Sequence, residues 1–103
     1  MSEKIAWTDL GNGLKRRILD YNKDLMMVEV AFEKGAIGAL HAHPHTQMTY
    51  AISGKFEFAI GAEKKLLEAG GTCLLPSGVE HGCVCLEQGR LLDVFTPCRE
   101  DFL

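Results

Sequence analysis

Turn-forming residues break this chain so often that little room is left for helices. Breaks fall at Gly11-Asn12-Gly13, Asn22-Lys23-Asp24, Lys34-Gly35, Ser53-Gly54, Gly61-Ala62-Glu63-Lys64, Ala69-Gly70-Gly71, Pro76-Ser77-Gly78 and Glu87-Gln88-Gly89. Such residues tolerate positive φ or preset a turn, and so punctuate strands. The segments between them read as strands: 14–21, 25–33, 47–52, 55–60, 65–68, 72–75, 81–86 and 90–95. Alternation is clearest in 25–33, where Met26, Val28, Val30 and Phe32 form an apolar face and Met27, Glu29, Ala31 and Glu33 point the other way. Phe56, Phe58 and Ile60 alternate with Glu57 in the same manner. Pro44 favours a bulge or edge over a regular ladder. Residues 1–10 read as a lead-in, with Trp7 and Leu10 packing on the body of the fold. About eight short strands and no convincing amphipathic helix predict an all-β sandwich or closed barrel.

A chain of 103 residues allows one domain, residues 1–103. Apolar residues make up 47% of it, enough for a core. The formal net charge is −3, and the densest basic group is Lys15-Arg16-Arg17, which reads as a solvated strand face or end. Nucleic acid is therefore not an expected partner. No apolar h-region follows Met1-Ser2-Glu3-Lys4, and Leu25 to Phe32 is too short for a membrane span and is interrupted by Glu29. A cytoplasmic protein without membrane contact is expected. Cys73, Cys83, Cys85 and Cys98 then read as reduced, mostly buried thiols. A barrel of this length is marginal in buried surface, and several strands are apolar on both parities, so a homodimer is expected.

Chemistry concentrates in two places. His41, His43 and Gln47 share a parity and lie close to His45. In a strand they converge on one side. His81 follows the Pro76-Ser77-Gly78 turn, which could return it to the same spot. Imidazole nitrogens and an amide oxygen suit one divalent transition metal. Hydrogen-bonded core histidines are the alternative, although three rings within five residues exceed what a core needs. The second place is Asp93, set in the apolar run Leu91 to Phe95. A buried carboxylate is costly unless paired or used. Asp93 and Phe95 share a face, and Arg99 follows just beyond Pro97. Asp93 and Arg99 form a structural ion pair, or Arg99 is solvated, or both belong to a cavity for a small acidic sugar, in which the guanidinium binds a carboxylate bidentately.

The spacing Gly35-x5-His41-x-His43-x3-Gln47-x6-Gly54 resembles the first cupin motif, with Gln47 where cupins most often carry Glu. Gly70-x5-Pro76-x-Gly78-x2-His81-x3-Cys85 resembles the second, with Cys85 at the usual Asn position and outside the ligand set. The resemblance implies a double-stranded β-helix, or jelly-roll, barrel holding one metal. Trp7-x-Asp9-Leu10-Gly11, Phe56-Glu57-Phe58, His81-Gly82 and the C-terminal Asp93-x-Phe95-x3-Arg99 extend it to nearly the whole chain. Together they resemble the KdgF-type small cupins of pectin and alginate breakdown. That family implies conversion of cyclic 4,5-unsaturated monouronates to linear 5-keto-4-deoxyuronate. It implies His41, His43, Gln47 and His81 as metal ligands, with Asp93, Phe95 and Arg99 around the substrate. Nickel or zinc is expected ahead of iron, manganese or cobalt. Thr46 stands where close relatives would carry Glu. A redox-active cupin dioxygenase and a non-catalytic sugar-binding cupin are the competing readings. The latter is often joined to a DNA-binding helix-turn-helix, for which this chain has no room.

Overall fold

In the computed structural model, which describes residues 5–103, eight strands follow one another. They are β1 (Thr8–Gly11), β2 (Leu14–Tyr21), β3 (Met26–Phe32), β4 (Ile37–His41), β5 (Thr46–Ile60), β6 (Glu63–Glu68), β7 (Thr72–Leu75) and β8 (His81–Thr96). All pairings are antiparallel. The described helical structure is a single 3-10 turn at Glu100–Phe102, and no described helix is long and apolar enough to cross a membrane.

Two of the expected turns are corners inside continuous strands. Ser53-Gly54 lies within β5 and Glu87-Gln88-Gly89 within β8. The ladder between these strands shifts register from Ala51 to Phe56. Gly54 adopts φ 83°, and a Cβ there would lie 2.6 Å from the Glu87 and Gln88 carbonyl oxygens. A Cβ on Gly89 would collide with the Ser53 carbonyl oxygen. Two backbones meet at this corner at a distance only glycine permits.

The corner divides each long strand between two sheets. The first half of β5 and the last half of β8 pair with β7 and β3 respectively, and β2 and β1 extend this sheet. The second half of β5 and the first half of β8 pair with β6 and β4. Two sheets sharing two bent strands are the jelly-roll architecture. Phe32, Ala51, Phe56, Phe58, Leu67, Leu75, Leu91 and three cysteines fill the space between them near the corner. Met26, Val28, Phe95 and Cys98 form a smaller cluster. All four cysteines are buried and free.

The edge strands depart from expectation in three ways. Thr8–Gly11 pairs as β1, while residues 1–4 of the expected lead-in lie outside the described residues. Trp7 is covered by the Arg17 guanidinium, 4.4 Å from its ring, but Leu10 is exposed. Lys15-Arg16-Arg17 is not merely solvated. Arg17 and Arg90 each reach the carboxylate of buried Glu29 at 2.6 Å, and Arg16 lies 3.8 Å from the Phe102 ring centroid. Glu29 has outward parity, and among the described residues these two arginines make its burial tolerable.

Candidate active site

His81 opens β8 and Phe95 stands near its end. Extended straight, the intervening fourteen steps would span roughly 45 Å. Yet the His43 ring lies 4.8 Å from that of His81 and 5.8 Å from that of Phe95. The glycine corner folds the strand back and brings both ends to one mouth. His41, at the end of β4, pairs with His81 across the ladder. His43 occupies the connection that Pro44 interrupts. The turn after β7 is tied to it: Gly78 N donates to the His43 carbonyl at 2.9 Å, and Ser77 Oγ to that of Pro44 at 2.6 Å. The turn thus delivers His81 to the site.

One backbone carbonyl fixes each of the three rings. His41 Nδ1 lies 2.8 Å from Ala39 O, His43 Nδ1 3.0 Å from His45 O, and His81 Nδ1 3.0 Å from Val79 O. A carbonyl oxygen only accepts, so each Nδ1 carries the proton and donates. Burial pushes the pKa of His43 and His81 down, which favours neutral rings. Each neutral ring then offers a bare Nε2 lone pair. Ring nitrogens of the three lie within 4.8 Å of one another.

Two observations show that this cluster suits a cation. His81 Nε2 is buried and has no hydrogen-bond partner among the described residues. His43 Nε2 faces Gln47 Oε1 at 3.0 Å, so two acceptors point at each other. A cation between them would turn this opposition into attraction. Three imidazoles and one amide oxygen match the donor preferences of zinc, nickel or iron. The backbone carbonyls behind the rings supply the orientation that metal-ligating histidines require. His45, close by, also has a buried Nδ1 without a partner among the described residues.

A hydrogen-bond chain runs inward from Gln47. Its Nε2 donates to Thr49 Oγ1 at 3.0 Å, and Thr49 Oγ1 donates to Asp93 Oδ1 at 2.7 Å. Burial pushes the Asp93 pKa up from 3.8 to about 6, although hydrogen bonds from Thr49 and Gln47 oppose the shift. Such a carboxyl can exchange a proton near neutral pH.

Arg99 does not pair with Asp93. Its fork grips Asp101, Nε to Oδ1 at 3.0 Å and Nη2 to Oδ2 at 2.8 Å. This holds its guanidinium 5.1 Å from the Phe95 ring and 4.2 Å from that of Phe102. The structural ion pair is therefore replaced by two separate arrangements. Cys85 sits in the apolar cluster, its Sγ donating to Glu87 O at 3.0 Å. Burial pushes the Cys83 thiol up to about 12 and Cys73 to about 11, so neither is a ready nucleophile.

All of His41, His43, Gln47, His81, Asp93 and Phe95 thus converge, with Arg99 laid against Phe95. Thr49, Phe102 and Arg16 join these residues without having been expected at the site. Thr49 was accessible from parity, being a polar residue between Gln47 and Ala51 on the inner face of β5. Phe102 and Arg16 meet only through the tertiary fold.

Residues 28–95 match the cupin domain family. Over its full length the chain is 44% identical to the pectin degradation protein KdgF of Dickeya dadantii, covering 96% of that protein. Among solved structures, an RmlC-like cupin from Shewanella frigidimarina superposes with a TM-score of 0.95 at 43% identity, covering all of this chain and 93% of the other. KdgF from a Halomonas species superposes with a TM-score of 0.92 at 38% identity, covering 95% and 91%.

Proposed function

The chain belongs to the cupin-domain family, and on that premise we propose that it is a metal-dependent enzyme converting cyclic 4,5-unsaturated monouronates to linear 5-keto-4-deoxyuronate. The observation that carries the proposal is that Gln47, whose Oε1 faces the histidine cluster, is joined by hydrogen bonds through Thr49 to a buried carboxyl, Asp93. The similarity to KdgF proteins across the whole chain supports the substrate class.

His41, His43, Gln47 and His81 would hold one divalent transition metal, nickel or zinc ahead of iron, manganese or cobalt, whose undiminished positive charge would polarise the substrate's carboxyl and ring oxygens. Arg99 binds the C6 carboxylate with the planar fork that now holds Asp101, an exposed carboxylate that a substrate can displace. Phe95 supplies an apolar wall for the sugar ring. In the reaction the C1 hydroxyl loses its proton and the bond from C1 to the ring oxygen breaks, leaving an aldehyde and a C5 enol. The enol hydroxyl then loses its proton while C4 gains one, giving the C5 ketone. Atoms balance and no electrons leave the substrate. Asp93 moves the proton, and its raised pKa lets it both take and return one near neutrality.

The chain acts in the cytoplasm as a homodimer. Met27, Val94, Met48 and Leu74 form an outward row across four adjacent strands, and all but the partly covered Val94 are exposed. A second copy would cover that row, and sedimentation velocity at micromolar concentration should give a dimer; a monomer would reject it.

The reaction is tested by incubating metal-loaded protein with lyase-generated unsaturated uronate. Absorbance from the conjugated double bond should fall without oxygen consumption. Oxygen uptake would point to a dioxygenase instead, and unchanged absorbance with measurable sugar binding to a non-catalytic cupin.

A further inference from the structure

We infer that the Thr49 hydroxyl is a positioning residue that decides which end of the Gln47 amide faces the histidines. The inference rests on the metal-binding reading above. A glutamine amide keeps its shape when turned over, but its chemistry reverses. Turned one way, Oε1 offers a lone pair toward His43. Turned the other, the NH2 group would donate to His43 Nε2, satisfying that nitrogen and blocking a cation. The oxygen and the NH2 group are nearly the same size, so packing alone does not distinguish the two.

The hydrogen-bond chain does. Thr49 lies directly across the β5–β8 ladder from Asp93, and Gln47 precedes it by two positions on the same face. The hydroxyl has one proton, and the ionised carboxylate of Asp93, which only accepts, takes it through Oδ1 at 2.7 Å. Thr49 Oγ1 can then only accept from the amide, which must present NH2 to it, at 3.0 Å. Oε1 is left for the histidines, 3.0 Å from His43 Nε2. Thr49 is fully buried, so water does not compete for the hydroxyl. Two neighbouring strands fix the positions of all three residues, and the direction of the chain follows from their chemistry.

The test is zinc affinity, measured by titrating the zinc-loaded protein with a chromogenic chelator, without uronate present. Thr49→Val keeps the branched shape and removes both hydrogen bonds. Its affinity should fall about 10–100-fold, the usual cost of losing a group that orients a ligand, and Thr49→Ser should restore most of it. In a Gln47→Glu background both side-chain oxygens are alike and there is no orientation to set. There Thr49→Val should change affinity by less than about threefold, a difference that a packing defect would not produce. Equal loss in both backgrounds, or wild-type affinity in Thr49→Val, would overturn the inference. Wild-type protein that binds zinc but leaves unsaturated uronate unchanged would sink the proposed reaction and leave the role of Thr49 standing.

Discussion

The barrel has two ends built on the same inner face of β5, and they are held in opposite ways. Near the glycine corner the inward residues are Ala51, Phe56 and Phe58, packed with Phe32, Leu67 and Leu91. At the mouth they are Gln47 and Thr49, facing Asp93 and three histidines. The apolar end depends on area and shape, which are non-directional and tolerant of exchange. The polar end depends on direction. Each imidazole is turned by one carbonyl, and each member of the Gln47–Thr49–Asp93 chain has its partner. Among the described residues, His81 Nε2, His45 Nδ1 and the facing acceptors of His43 and Gln47 remain unsatisfied there, and the first and last of these mark where a ligand belongs. One end supplies stability, and the other uses it to keep costly polar groups in place.

Substitutions that touch only one end can break this contrast. The largest effect is expected from His43→Ala, which removes a ring packed against His41, His81 and Phe95 and facing Gln47. Metal content measured by elemental analysis should fall to near background, and uronate turnover with it, while the far-ultraviolet β signature persists. Metal content equal to wild type would place the site elsewhere. Phe56→Ala strikes the other end, where the ring is fully buried and packs edge-on against Phe32 at 5.1 Å. It should cost about 3–5 kcal/mol of stability in denaturant unfolding. Activity per folded, metal-loaded molecule should stay close to wild type; a parallel loss of activity would show that the two ends are coupled.

A smaller effect sharpens the comparison. Burial raises Asp93 from 3.8 to about 6, so the folded protein holds this proton more tightly than the unfolded chain does. The resulting stabilisation is present below about pH 4 and is lost as pH rises to about 6. Metal-stripped wild type should therefore lose melting temperature across that window relative to Asp93→Asn. Parallel profiles would mean that Asp93 ionises as freely as an exposed carboxylate.

Much of this was legible in the residues. Turn chemistry marked most of the strand breaks, the two motifs marked the histidine cluster, and parity placed Asp93 with Phe95. The corners at Ser53-Gly54 and Gln88-Gly89 were not legible as corners, because a glycine reads alike whether the chain reverses or two bent strands touch. Asp93 and Arg99 are close enough in sequence to suggest a pair. That their partners are Thr49 and Asp101 depends on strand register and on the 3-10 turn, and neither leaves a local signal. Glu29 was legible as polar but not as buried, because its cover comes from Arg17 and Arg90 on two other strands.

The most direct test of the polar end as the seat of chemistry is the turnover of metal-loaded Asp93→Asn on unsaturated galacturonate monomer. The substitution keeps the side chain's shape and leaves an oxygen for Thr49, but removes the group that carries the proton. The rate should fall on the order of 10²–10⁴-fold while metal content matches wild type. Near wild-type turnover from the metal-loaded variant would contradict the assignment of proton transfer to Asp93.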